Sequence, residues 1–121
     1  MCDRARVQTL LIVDDHAAFR AIARAALGDA FVVVAEAAGG KEAITTARKL
    51  RPELVLLDVQ LPDLDGFAVA AALAAQDDPP IVVLTSSRDR RELEPLIRQA
   101  PARGFIPKER LSAEALAELI A

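Results

Sequence analysis

The sequence predicts a single α/β domain built as an open parallel sheet with helices on both faces. Three observations predict it. Five short runs rich in Val, Ile and Leu recur along the chain, and longer stretches with helical apolar spacing separate them. The 121 residues leave room for one domain, taken as 1–121. The runs lack the polar alternation of half-solvated strands, so they read as strands buried on both faces.

The first run is Leu10–Val13, and the helix after it should pack through Phe19, Ile22, Ala23, Ala26 and Leu27, with Gly28 as its C-terminal cap. Phe31–Ala35 is the second strand. Its helix presents Ala43, Ile44, Ala47 and Leu50 before Pro52. Leu54–Leu57 follows, with a helix facing inward through Phe67, Ala70, Ala71 and Ala74. The fourth strand is Ile81–Leu84, paired with a stripe of Leu93, Leu96, Ile97 and Ala100. The brief run Phe105–Ile106 closes the sheet, and Ser112 can cap a last helix that buries Leu116, Leu119 and Ile120. A strand–helix unit repeated five times favours right-handed crossovers. The spacing also matches a leucine-rich solenoid, but the leucine consensus is missing and the helices are full length.

Composition narrows the function. An apolar fraction of 53% with 27% charged residues excludes wholesale disorder, and a net charge of −3 offers no basic footprint for nucleic acid. The longest apolar run, Phe67–Ala75, is about half what a bilayer requires. Residues 1–9 contain no secretory pattern and Cys2 has no partner within the chain, so a cytoplasmic setting is expected.

Ligands of open parallel sheets bind beyond the carboxyl ends of the strands. After the first run come Asp14 and Asp15, after the third Asp58, after the fourth Thr85 and Ser86, and just past the fifth Lys108. Any one of these is most simply a loop residue or helix cap, but together they place three acids, a hydroxyl and a lysine at one edge. Two carboxylates about 5 Å apart repel by about 3 kcal/mol at an effective dielectric of about 20. Oxygen donors with one neighbouring cation suit Mg²⁺, which keeps waters and accepts a phosphate oxygen. Zn²⁺ would ask for His or Cys, and only His16 and the distant Cys2 are available.

The turn Val13-Asp14-Asp15-His16, the segment LVLLDVQLPDLDGF (Leu54–Phe67), LTSS (Leu84–Ser87) and GFIPK (Gly104–Lys108) resemble, in order and spacing, the response-regulator receiver domains of two-component phosphorelay systems. The resemblance spans nearly the whole chain. It implies a flavodoxin-like (βα)5 doubly wound sheet with strand order 2-1-3-4-5. It makes Asp58 the phosphoacceptor, charged by a sensor histidine kinase or phosphotransfer protein in a Mg²⁺-dependent reaction. Asp14, Asp15, Asp58 and the main-chain carbonyl of Gln60 would hold the ion, with Asp14 acting largely through water. Thr85 and Lys108 would each meet a phosphoryl oxygen, and Thr85 with Phe105 would form the switch. For Phe105, an ordinary core position is an equal expectation. Output would pass through the face of the fourth helix, fifth strand and fifth helix, to an output domain, a partner or a homodimer. No membrane or direct nucleic-acid contact is implied.

The chain departs from the family in having Pro107 before Lys108 and Glu109 after it, which leaves the Lys108–Glu109 peptide geometry open. His16 is expected to start a helix. The Arg88–Arg110 stretch, six arginines interleaved with acids, should be a solvated face, with a charged dimer or partner surface as the less common alternative. Two other functions compete. One is a Mg²⁺-dependent phosphatase working through an aspartyl phosphate, although Gln60 stands where such an enzyme needs a general acid. The other is a receiver-like binding module that is never phosphorylated. The residues leave open whether this is a stand-alone receiver or part of a longer, DNA-binding regulator.

Overall fold

The computed structural model describes residues 7–121, so Cys2 lies outside the described residues. The elements run β1 (Thr9–Val13), α1 (Ala17–Leu27), β2 (Val32–Ala37), α2 (Gly40–Leu50), β3 (Leu54–Asp58), α3 (Gly66–Ala74), β4 (Ile81–Ser86), α4 (Arg90–Gln99), β5 (Gly104–Pro107) and α5 (Ala113–Ile120). A single 3-10 turn, Lys108–Arg110, joins β5 to α5. All five strands are parallel, in the order β2-β1-β3-β4-β5.

Successive side chains of a strand point to opposite faces, and each face has its own core. Leu11 and Val13 of β1 join Val55, Leu57, Val82 and Leu84 beneath α2, α3 and α4. Leu10 and Ile12 join Leu54, Leu56 and Val83 beneath α1 and α5. Strand order reverses between β1 and β3, so their carboxyl ends flank the crevice where such sheets bind ligands.

Several elements differ in detail from the sequence reading. β2 is an edge strand with Val32 and Val34 exposed, not a strand buried on both faces. A register shift opposite Leu10 and Leu11 turns Val34 outward, and the strand continues through Glu36 to Ala37. α1 buries Ala23 and Leu27 and half-buries Phe19, while Ile22 and Ala26 face outward. Leu50, at the end of its stripe, and Leu96, inside its own, are likewise exposed. α3 is rotated from expectation. It buries Gly66, Val69, Ala70 and Leu73 and leaves Ala71 and Ala74 exposed. A helix that is apolar all round carries little record of its inner face.

Gly28 does cap α1, though in right-handed geometry (φ −67°), and Ser112 caps α5 by accepting the Ala115 N–H at 3.0 Å. The arginine-rich stretch is a solvated face: Arg88–Glu92, Arg90–Glu94 and Arg98–Glu94 pair one turn apart at 3.4–3.5 Å. Such exposed pairs contribute only tenths of a kcal/mol. The described residues contain no cis peptide bond, so Lys108–Glu109 is trans.

The corrected face of α3 is testable. Leu73→Ala should cost about 2–4 kcal/mol in urea unfolding, whereas Ala74→Ser should stay within about 0.5 kcal/mol. Equal losses would restore the face containing Ala74.

Candidate functional site

Asp14 lies one residue beyond β1, and its N–H still donates to the Ala37 carbonyl of β2 at 3.0 Å. Asp58 ends β3 opposite Thr85 of β4. Both acids are buried, at 0% and 2% exposure, while Asp15 is exposed. Lys108 leaves the end of β5 and reaches across the sheet edge, its Nζ 2.6 Å from Asp14 Oδ2 and 3.2 Å from Asp58 Oδ2. Residues 50 positions apart therefore share one ion-pair cluster. The ring of Phe19 on α1 completes the ammonium's surroundings, its centroid 4.5 Å from Nζ.

The loop after β3 is folded against the site. The Gln60 N–H donates to Asp58 Oδ1 at 3.0 Å, and Gln60 bridges to Asp65 in antiparallel fashion. Asp65 caps α3 by accepting the Phe67 N–H. Gly66 has no room for a side chain, since a methyl there would meet the Asp58 carbonyl oxygen at 2.5 Å. Asp63 takes the N–H groups of Gly40 and Lys41 at 2.7 and 3.0 Å, so this loop also caps α2.

The two buried acids sit in unlike electrostatic surroundings. Burial pushes the Asp58 carboxyl up to about 6, aided by the charge of Asp14, while the Gln60 N–H and the Lys108 ammonium only partly oppose the rise. Burial also works against ionised Asp14, but Lys108 and the His16 N–H more than offset it and hold that carboxyl below its usual range. Lys108 responds reciprocally. Burial would lower it, and the two acids raise it above the ordinary lysine value. One ammonium thus keeps Asp14 ionised and leaves Asp58 poised between charge states.

Asp14, Asp15, His16 and Asp58 each offer a ligand atom within 4.8 Å of the others. Three carboxylates against one ammonium leave a net negative pocket, and its oxygen-dominated donors fit a hard divalent ion. His16 starts α1 as expected, but its ring had a role the sequence did not show. Nδ1 lies 3.2 Å from Oδ1 of both Asp14 and Asp15.

Thr85 is fully buried, and its hydroxyl donates to the Ile106 carbonyl at 2.6 Å rather than to an acid. Phe105 lies in the core beneath α4 at 5% exposure, with the Arg90 guanidinium 6.0 Å from its ring centroid. Ser86 is also buried, and its hydroxyl accepts the Arg88 N–H at the start of the following loop. Phe19 was expected only as a packing residue of α1, so its place beside the Lys108 ammonium escaped the sequence reading, as did Arg20 altogether. The only signal for Arg20 was a pair of arginines one turn apart, Arg20 and Arg24, on a helix beside a strand that carries Glu36.

No described helix is long and apolar enough to cross a membrane. Comparison with known proteins places the chain. The family model for the response regulator receiver domain matches residues 10–121. The chain is 37% identical over 114 residues to the positive alginate biosynthesis regulatory protein of Pseudomonas aeruginosa, covering 92% of this chain and 45% of that protein. It is 43% identical over 90 residues to a protein-glutamate methylesterase/protein-glutamine glutaminase of Anaeromyxobacter dehalogenans, covering 73% and 25% respectively. It thus spans about half or less of the curated relatives it matches. Among solved structures, it superposes with a TM-score of 0.85 on the signal receiver domain of a protein assigned as the response regulator NarL from Mycobacterium tuberculosis, at 30% identity, covering 93% of this chain and 95% of that one. The chain belongs to the response regulator receiver domain family.

Proposed function

We propose that Asp58 is the phosphoacceptor of this receiver, charged from the phosphohistidine of a sensor histidine kinase or phosphotransfer protein. The observation that carries this assignment is the buried Asp58 carboxylate, paired through Lys108 with Asp14 at the carboxyl edge of the sheet. An Asp58 carboxylate oxygen attacks phosphorus in line as the phosphorus–imidazole bond breaks. The Lys108 ammonium, already 3.2 Å from Asp58, pairs with a phosphoryl oxygen as charge builds there. Mg²⁺, held by Asp14, Asp15, Asp58 and the Gln60 carbonyl, would neutralise charge on the phosphoryl oxygens. Thr85 then releases the Ile106 carbonyl and turns its hydroxyl toward the phosphoryl group. That loss loosens the hold of β4 on β5 next to Phe105, the aromatic proposed to move with it.

Hydrolysis of the acyl phosphate resets the domain. The role is that of a signalling phosphoacceptor. Gln60, which cannot donate a proton to a leaving group, favours this over turnover of free phosphomonoesters. The methylesterase relative shares only a quarter of its own length with this chain, so its activity is not carried over. We assign the domain to residues 1–121 in the cytoplasm, with the surface of α4, β5 and α5 passing the signal to an output domain, a partner or a second copy.

Asp58→Asn should accept no phosphoryl group from acetyl phosphate with Mg²⁺, as read by intact-protein mass. Persistent labelling of that variant would move the acceptor elsewhere. Lys108→Ala should bind divalent ions at least as tightly, because a competing cation is gone, yet lose the phosphorylation-dependent change in the NMR shifts of β5. An unaltered response would remove Lys108 from the switch.

The raised pKa of Asp58 sets a pH dependence. The folded chain holds this proton up to about pH 6, whereas the ordinary value is 3.8. The stability contributed by protonated Asp58 is therefore complete below 3.8 and lost as pH rises through about 6. Without divalent ions, Asp58→Asn should match the wild type near pH 3.5 and exceed it above pH 6.5 by about 1–3 kcal/mol in urea unfolding. A gap independent of pH would show that Asp58 is not strained by ionisation.

A further inference from the structure

The Asp14 carbonyl lies beyond the last β1–β2 pair, Val13 with Ala37, and so beyond the regular ladder between those strands. A side chain from α1 meets it. Arg20 Nη1 donates to this oxygen at 2.7 Å, and its Nε donates to Glu36 Oε1 at 3.0 Å. Glu36 is the last residue but one of the edge strand β2, and its other oxygen accepts Arg24 Nε at 2.7 Å. Arg24 and Arg20 together hold the Glu36 carboxyl below its usual range, so it stays charged. Arg20 is the better buried of the two arginines, at 19% side-chain exposure against 49%.

The held carbonyl belongs to the peptide unit that links the two consecutive acids. A peptide unit is planar, so fixing its carbonyl also fixes the direction in which the next Cα leaves it. The Asp14 N–H is already tied to Ala37, so Arg20 clamps the other side of the same residue. The orientation of Asp15 relative to buried Asp14 follows from that clamp. A helix-to-strand salt bridge kept only for stability has no need to aim one guanidinium nitrogen at this oxygen.

We propose that Arg20, locked by Glu36, is a positioning residue that fixes the peptide plane between Asp14 and Asp15 and thereby sets the divalent-ion affinity of the phosphoacceptor site. This rests on the reading of the site given above. Groups that orient metal ligands from behind typically govern affinity by 10–100-fold. Arg20's fork serves both partners at once, which a lysine point charge cannot do.

The test is titration of the 121-residue chain with Mn²⁺, followed by the electron paramagnetic resonance of the free ion, a probe suited to a protein without Trp or Tyr. Arg20→Met and Glu36→Gln should each weaken Mn²⁺ binding about tenfold or more. Arg20→Lys should recover part of the loss, and Arg24→Met, which leaves the carbonyl contact intact, should lose less. The double variant Arg20→Met/Glu36→Gln should be no weaker than the worse single variant, because the two act through one clamp. Phosphorylation of Arg20→Met by acetyl phosphate should return to the wild-type rate at saturating divalent ion, a split that general destabilisation does not produce. Leu116→Val, a core variant on α5, serves as the stability control and should leave Mn²⁺ affinity unchanged. The inference fails if Arg20→Met binds Mn²⁺ as tightly as wild type, if Leu116→Val weakens it equally, or if the two clamp losses simply add. A wild-type chain that binds no Mn²⁺ would overturn the site reading and this inference with it, whereas binding that Arg20→Met shares would overturn this inference alone.

Discussion

Two buried carboxylates that share one ammonium are the constraint on which the rest of this domain depends. Asp14 and Asp58 could not be held ionised side by side in a core edge without Lys108, 2.6 and 3.2 Å away. The three groups come from just past β1, the end of β3 and just past β5, and the parallel pairing of the strands, in the order β2-β1-β3-β4-β5, brings those carboxyl ends to one edge. Topology and electrostatics are therefore a single requirement. Unless β5 pairs in register with β4, the lysine does not arrive, and unless the lysine arrives, the acids repel.

One cation against three acids leaves the cluster short of positive charge. Asp14 takes most of Lys108's benefit and sits low, while Asp58 sits high at about 6. Such imbalance suits a site that must change its charge state in use. A divalent ion and a phosphoryl group would together remake the pocket's charge, so the Lys108 and Thr85 contacts of the resting site need not survive. The Thr85 hydroxyl, bonded to the Ile106 carbonyl, links the site to β5, and on the proposed function that rearrangement would reach β5 through it.

The site was legible in the sequence to a degree the helix faces were not, for a physical reason. Asp14, Asp58 and Thr85 each directly follow a run of Val, Ile or Leu, Lys108 comes just past the short run Phe105–Ile106, and the end of a buried parallel strand is a position that sequence marks sharply. α3 gave no such mark, because Phe67, Val69, Ala70, Ala71, Leu73 and Ala74 are apolar on every side and only packing chooses among them. β2 was placed one residue early and stopped two short. Phe31 is buried just before the strand begins, and the apolar run stops at Ala35, before the charged Glu36. In the fold it is the counterion that two arginines of α1 require. Arg20, Phe19 and the ring of His16 act through contacts between elements that no local pattern records.

These contacts also divide the site into a more tightly and a less tightly held half. Arg20 and Glu36 clamp the acidic turn, and Asp63 on the β3–α3 loop caps α2, so the Asp14 and Asp58 sides are tied to neighbouring helices. The β4–α4–β5 side has less to hold it. Leu93 is the one buried residue of α4, and Pro95 within that helix removes the hydrogen bond its N–H would make to Arg91. The ion pairs along α4 are exposed and contribute little. On the function proposed above, free energy released at Asp58 would be expressed where resistance is least, in Thr85, Phe105 and α4, while the acidic turn and the β3–α3 loop stay in place.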